Sequence, residues 1–156
     1  MNDAAEEPVY FEDIEEGIVV SCGSKTVSKT EIVEFAETFD PLPIHTDPDA
    51  ATESRYGGII ASGYHTLSLT VRLLVDEIRS ERAVIGGLGI DDVQWHTPVR
   101  PGDTITAINE VVGTRVSESD RDTGIVHDAI TVTNQNGETV LTLDNYELVA
   151  SRSDSK

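Results

Sequence analysis

The spacing of apolar residues changes several times along the chain, and each change marks a different kind of element. Between Gly17 and Val27 the run GIVVSCGSKTV is rich in β-branched residues and reads as a strand. From Ser28 the spacing becomes helical. Ile32, Val33, Phe35, Ala36 and Phe39 recur on one face, and Ser28-Lys29-Thr30-Glu31 has the S-x-x-E spacing of a capping box. Pro41 and Pro43 forbid continuation, so this helix is predicted to stop at Asp40. The segment from Asp40 to Pro48 reads as a stiff extended connector, able to hold side chains accurately. Asp47 as N-cap and Pro48 at the first helical position then open a short helix to about Arg55, which Gly57-Gly58 ends. A longer helix is predicted over 63–79. There Leu67, Leu69, Val71, Leu74, Val75 and Ile78 make much of the circumference apolar, as in a helix buried at the centre of a domain.

From Leu88 onward the pattern shortens to β-rich segments at about 88–96, 104–116, 123–134 and 138–149. Arg100-Pro-Gly-Asp103 and Asn134-Gln-Asn-Gly137 supply turn chemistry between them, and no helical stretch intervenes to support parallel crossovers, so the strands should form an antiparallel meander. A strand, then helices, then strands indicates an α+β fold in which a curved sheet covers the one apolar helix. The 156 residues suit one domain, expected over 8–150, with loose polar ends at 1–7 and 151–156.

Charge narrows the classes of partner. Asp and Glu number 29 against 11 Lys and Arg, a net charge of -18, so nucleic acid and anionic lipid surfaces would be repelled. Only Lys25, Lys29 and Lys156 are lysines and the acidic residues are scattered, a pattern expected of a halophile whose folding and activity need molar salt to screen self-repulsion. No apolar run approaches the roughly 20 residues of a membrane span, the N-terminus is acidic where a signal peptide is basic, and the single Cys22 can form no internal disulfide; a reducing cytoplasm fits. One cysteine and irregularly spaced histidines also argue against a metal site, with His96 and His127 read as ordinary strand residues.

The candidate chemistry lies between residues 40 and 66. Asp40 and His45, five apart across a proline-braced bend, can converge on one water as proton acceptor and donor; equally, Asp40 could end a turn and His45 be an ordinary loop histidine. Gly57-Gly58-Ile59-Ile60-Ala61-Ser62-Gly63 leads directly into the long helix, whose first amides could face a developing oxyanion at Gly63; Ser62 as N-cap and Gly63 as a packing contact explain the same residues. Ser62, His65 and Ser68 share a helix face, but no G-x-S-x-G elbow supports a serine nucleophile. Gly86-Gly87-Leu88-Gly89 lacks the third glycine and the context of a dinucleotide loop. Trp95 reads as a core anchor. Arg100 reads either as a surface ion pair or, in so acidic a chain, as a contact for a phosphate-bearing ligand.

Taken together, Phe39-Asp40-Pro41-Leu42-Pro43-Ile44-His45-Thr46-Asp47, Gly57 to Gly63, and Pro98-Val99-Arg100-Pro101-Gly102-Asp103 resemble the MaoC-like dehydratases, a family that includes R-specific enoyl-CoA hydratases, over about Phe11 to Val149. The resemblance implies a hot-dog fold, a long helix wrapped by an antiparallel sheet, usually paired as a homodimer or higher homo-oligomer. It implies Asp40 and His45 as the catalytic pair, Gly63 with Ser62 beside it at the oxyanion and substrate site, an acyl-CoA thioester as substrate, and no cofactor or metal; Arg100, on its charge, is then a candidate CoA contact. The activity implied is addition of water to a 2-enoyl-CoA or its removal from a 3-hydroxyacyl-CoA. Two rivals are a hot-dog thioesterase and a non-catalytic acyl-binding partner subunit. Many relatives carry Asn where this chain has Leu42, and some carry a serine supporting the aspartate where it has Val71.

Overall fold

The computed structural model describes residues 6–152; of the expected loose ends, 1–5 and 153–156 lie outside the described residues. After a 3₁₀ turn at Phe11–Asp13 come β1 (Val19–Thr26), α1 (Lys29–Phe39), α2 (Pro43–Thr46), α3 (Pro48–Glu53), α4 (Gly63–Leu74) with a π-helical turn at Val75–Arg79, and then β2 (Val84–Trp95), β3 (Thr104–Val116), β4 (Thr123–Thr133) and β5 (Thr139–Ala150). The five strands form one antiparallel sheet in the order β1-β3-β4-β5-β2. This is the α+β arrangement expected, with one difference in pairing. Only β3, β4 and β5 form the meander, while β2 crosses to the far edge beside β5 instead of pairing with β3.

Local chemistry accounts for the element boundaries. Ser28 Oγ accepts from the Glu31 N–H and Glu31 Oε2 accepts from the Ser28 N–H, closing the capping box that starts α1. Asp47 caps α3 by accepting from the Asp49 and Ala50 N–H groups. The connector after Asp40 is not extended throughout. Pro43 sits at the first position of the single turn α2, where its missing N–H costs nothing, and that turn carries His45 back toward Asp40. Strand β2 begins at Val84, four residues earlier than its pattern suggests, because register shifts around Gly86, Gly87 and Gly89 break the alternation there.

The core lies between α4 and the sheet. Ile32 of α1 and Leu73 and Leu74 of α4 pack with Ile105, Ala107, Ile130, Val132, Val140, Leu141 and Leu143 of the three central strands. Each of the Ile, Leu and Val side chains contributes about 1.5–3 kcal/mol through burial. The helix α4 is not buried all round, however: Tyr64, Ser68, Val71 and Arg72 form an exposed stripe, and the edge strand β2 exposes Ile85, Leu88, Ile90 and Trp95.

A buried ionic cluster ties the end of the helical segment to the sheet. Arg82 Nη1 donates to Asp128 Oδ2 (2.8 Å) and Glu147 Oε1 (2.6 Å), its Nη2 donates to Asp128 Oδ1 (3.2 Å), and Arg79 Nε donates to Glu147 Oε2 (2.9 Å). Asn109 Nδ2 completes the set on Asp128 Oδ1 at 2.9 Å. Burial works against the Arg82 charge, but Asp128 and Glu147 outweigh it and hold the guanidinium above its ordinary pKa.

Candidate active site

Asp40 follows the last residue of α1, and its N–H still donates to the Ala36 carbonyl, so the helix end fixes its backbone. The α2 turn then places His45 where its backbone N–H meets the Leu42 carbonyl at 2.9 Å. The imidazole is clamped from its other side, with Nδ1 2.6 Å from the Ile60 carbonyl while the Ile60 N–H donates to the Ile44 carbonyl. A carbonyl only accepts, so Nδ1 carries the hydrogen and Nε2 is the nitrogen that faces the site. His45 Nε2 lies 3.5 Å from Asp40 Oδ2, too far for a good direct hydrogen bond, so each side chain keeps capacity to bind a water beside the pair. The histidine side chain is 6% exposed and the aspartate 21%, so the pair sits at the boundary between protein and solvent.

The start of α4 supplies the second half of the site. Ser62 caps the helix, and its hydroxyl, fully buried, donates to Asp40 Oδ2 at 2.7 Å. Gly63 is the first helical residue, and its N–H has no acceptor among the described residues. An unpartnered first-turn amide at the positive end of a helix dipole suits developing negative charge. Gly63, His45, Thr66, Tyr56 and Trp95 line one cavity of about 380 Å³, closed further by Ile60, Val99 and Val140. Trp95 is not the core anchor expected. Its side chain is 47% exposed, stands edge-on to Tyr64, and donates from Nε1 to the Gly63 carbonyl at 2.9 Å. A Cβ on Gly63 would lie 2.5 Å from Trp95 Cε2. Gly63→Ala is therefore expected to displace the indole, destabilise the fold by about 1–3 kcal/mol and reduce turnover at least about tenfold. Paired melting curves and rate measurements check this; an alanine variant with unchanged Tm and rate refutes the close approach.

The other candidates separate from this centre. Ser68 is exposed and donates to the Tyr64 carbonyl, and Ser62 meets a carboxylate, so no serine–histidine pair is assembled. His127 pairs with Asp144 at 2.8 Å and stacks on Tyr146, while His96 lines the cavity with its Nε2 2.7 Å from Thr142 Oγ1. Among the described residues no group of three His, Cys, Asp or Glu side chains is placed to hold a metal ion. Arg100 follows the cavity residue Val99 and is exposed; its backbone N–H donates to Asp103 Oδ2 at 2.9 Å, while its guanidinium has no carboxylate within 4.0 Å among the described residues. His65 is buried, stacked on Phe35 with ring centroids 4.6 Å apart, and its Nδ1 has no hydrogen-bond partner among the described residues.

Burial pulls the His65 imidazole below its usual pKa, with Glu31 of α1 opposing and Lys25 of β1 assisting. The unfolded chain thus binds this proton more readily than the folded one. Its stabilising contribution is whole above the unfolded value of about 6.5 and is lost as pH falls below it. His65→Phe is expected to flatten the fall in Tm between neutral pH and about pH 5 relative to the parent protein. Parallel slopes for the two proteins would show that His65 does not titrate between states.

The family model for the MaoC like domain matches residues 15–134. The chain belongs to the MaoC-like family. This MaoC-like chain is 32% identical to the (R)-specific enoyl-CoA hydratase of Rhodospirillum rubrum over 105 residues, 67% of this chain and 70% of that protein. A solved structure of a monoamine oxidase regulatory protein from Archaeoglobus fulgidus superposes with a TM-score of 0.86 at 37% identity, covering 94% of this chain and 97% of that one. A double hot-dog protein of Mycobacterium tuberculosis, 20% identical and covering 96% of this chain and 46% of its own length, shares the fold with a TM-score of 0.78. The MaoC-like chain accordingly has the hot-dog fold, with α4 as the enclosed helix. Among the described residues no helix is long and apolar enough to cross a membrane. Two features of this MaoC-like site had no signal in the sequence: Trp95 lying across Gly63, and the Ser62–Asp40 bond between residues 22 apart.

Proposed function

We propose that this protein is an R-specific hydro-lyase that adds water to a 2-enoyl-CoA, or removes it from the corresponding 3-hydroxyacyl-CoA. The observation that carries the reading is the placement of Asp40 and His45 Nε2 3.5 Å apart, with an open helix N–H at Gly63 on the cavity that His45 also lines. A water beside the two side chains donates one hydrogen to Asp40. As its oxygen forms the bond to C3, the carboxylate takes the proton and the double-bond electron pair moves through C2 to the thioester oxygen. The Gly63 N–H holds that enolate charge, and protonated His45 delivers a proton from Nε2 to C2. Proton transfer from Asp40 back to His45 restores the pair. Each proton-transfer group contributes typically about 10²–10⁴ in rate, and a well-placed oxyanion donor about 10²–10³.

Arg100 is assigned to the CoA phosphates, since it is an exposed cation beside the cavity wall in a chain of net charge -18. Exposed Tyr64 and Val71 on α4, with exposed Ile85, Leu88, Ile90 and Trp95 on β2, whose outer edge is unpaired, support a homodimer in which those surfaces meet. The test is the loss of enoyl absorbance from crotonyl-CoA and longer 2-enoyl-CoAs in molar KCl, with chiral analysis of the product and a parallel assay for free thiol. R-3-hydroxyacyl-CoA without thiol release is expected. Release of CoA identifies a thioesterase instead, and binding without turnover at any chain length identifies an acyl-binding subunit.

A further inference from the structure

The first four N–H groups of a helix lack partners within it. At the start of α4 a single residue accepts from three successive N–H groups. The Tyr64 N–H donates to Ser62 Oγ at 3.2 Å, and the His65 and Thr66 N–H groups donate to the Ser62 carbonyl at 3.0 and 3.1 Å. The Gly63 N–H has no acceptor among the described residues. The Ser62 hydroxyl has one hydrogen, and it is committed to Asp40 Oδ2 at 2.7 Å. Its oxygen thus accepts from the helix and donates to the carboxylate at once, in a position closed to solvent.

The consequence for Asp40 is an inequality between its two oxygens. Oδ2 is held by Ser62 and lies on the His45 side, whereas Oδ1 has no donor among the described residues and is the oxygen free to receive a hydrogen from water. We propose that Ser62 is the positioning residue of this site, fixing the Asp40 carboxylate relative to the open Gly63 N–H so that one side chain registers the proton acceptor against the oxyanion donor. This inference rests on the hydration reading for its kinetic consequence and on the hydrogen bonds alone for its electrostatic one. A hydrogen bond to a carboxylate favours its charged form, so loss of the hydroxyl moves the loss of activity on acidification to higher pH.

The experiment compares Ser62→Ala, Ser62→Cys and Ser62→Thr with the parent protein. Ser62→Ala is expected to lower kcat about 10- to 100-fold with KM within about threefold, and to shift the acid limb of the pH–rate profile upward. Ser62→Cys, close in size but a weak donor, should follow Ala, and Ser62→Thr, which keeps the hydroxyl, should recover most of the rate. Ser28→Ala removes the corresponding cap of α1, away from the site, and is expected to lower Tm without moving the profile. A carbon-13 titration of the Asp40 carboxyl in the substrate-free protein reads the same bond without turnover, with its midpoint rising in the Ala and Cys variants. An unchanged midpoint, or a profile that stays put while Tm falls as in Ser28→Ala, overturns the positioning role. If the parent protein hydrates no enoyl thioester, the hydration reading fails while the carboxyl titration still decides the role of Ser62. Should the Ala variant not fold, the Cys variant carries the comparison, and parental kcat and titration in it overturn the proposal.

Discussion

Asp40→Asn is expected to lower kcat for hydration by about 10²–10⁴-fold while leaving the protein folded. The amide matches the carboxylate in shape, so the Ser62 hydroxyl can still donate to the Asn oxygen in the position that Oδ2 occupies. What the substitution removes is the capacity to take a proton from water. The amide nitrogen would then stand where Oδ1 stands, presenting a donor toward the water in place of an acceptor and turning its lone pair away from C3. Because the amide keeps the size of the carboxylate and its bond to Ser62, KM should change little and the loss should fall on kcat. Steady-state hydration kinetics with a circular dichroism spectrum and melting curve for each protein check the prediction. Parental kcat in a folded Asn variant would remove Asp40 from the chemistry and with it the proposed reaction.

The parts of this site that could be read in the sequence are those made by short-range backbone chemistry. Ser28 and Asp47 announce their helices through side chains that bond amides two or three residues on, and Pro41 and Pro43 end α1 at the residue the mechanism needs. The convergence of Asp40 and His45 follows from the same proline-braced bend, although the α2 turn inside it was not apparent in a segment with so few helix-forming residues. Contacts across long separations were not legible. The β2 strand sits at the far edge beside β5 because chain reversal between strands says nothing of which neighbour is chosen, and Trp95 leaves the core because that edge position brings its indole over Gly63. Arg82, Asp128 and Glu147 are 46 and 65 residues apart in chain order and look like three of many surface charges until the sheet closes over them. The glycines that fail as a nucleotide motif at 86–89 acquire their reason only there too, as the bulged part of an edge strand.

Arg82→Met is expected to be among the most damaging single substitutions in this chain. It leaves Asp128 and Glu147, both buried, with Asn109 and Arg79 as their remaining partners, and removing one member of a buried ionic group typically costs about 3–5 kcal/mol. For a chain of this length each kcal/mol lowers Tm by about 2–4 °C, so a fall of about 10 °C is anticipated. The cost arises mainly from stranded carboxylates, not from lost attraction, and this distinction can be measured. Adding Asp128→Asn and Glu147→Gln to Arg82→Met removes both buried charges and should restore a substantial part of the stability, even though it deletes every ion pair of Arg82. Urea unfolding in molar KCl, where screening of the surface charge is the same for all variants, gives the comparison. If the triple variant is less stable than Arg82→Met alone, the cluster holds the Val75–Arg79 turn onto β4 and β5 by net attraction. Recovery instead identifies it as a balanced set of charges whose members each need the others in order to be buried at all.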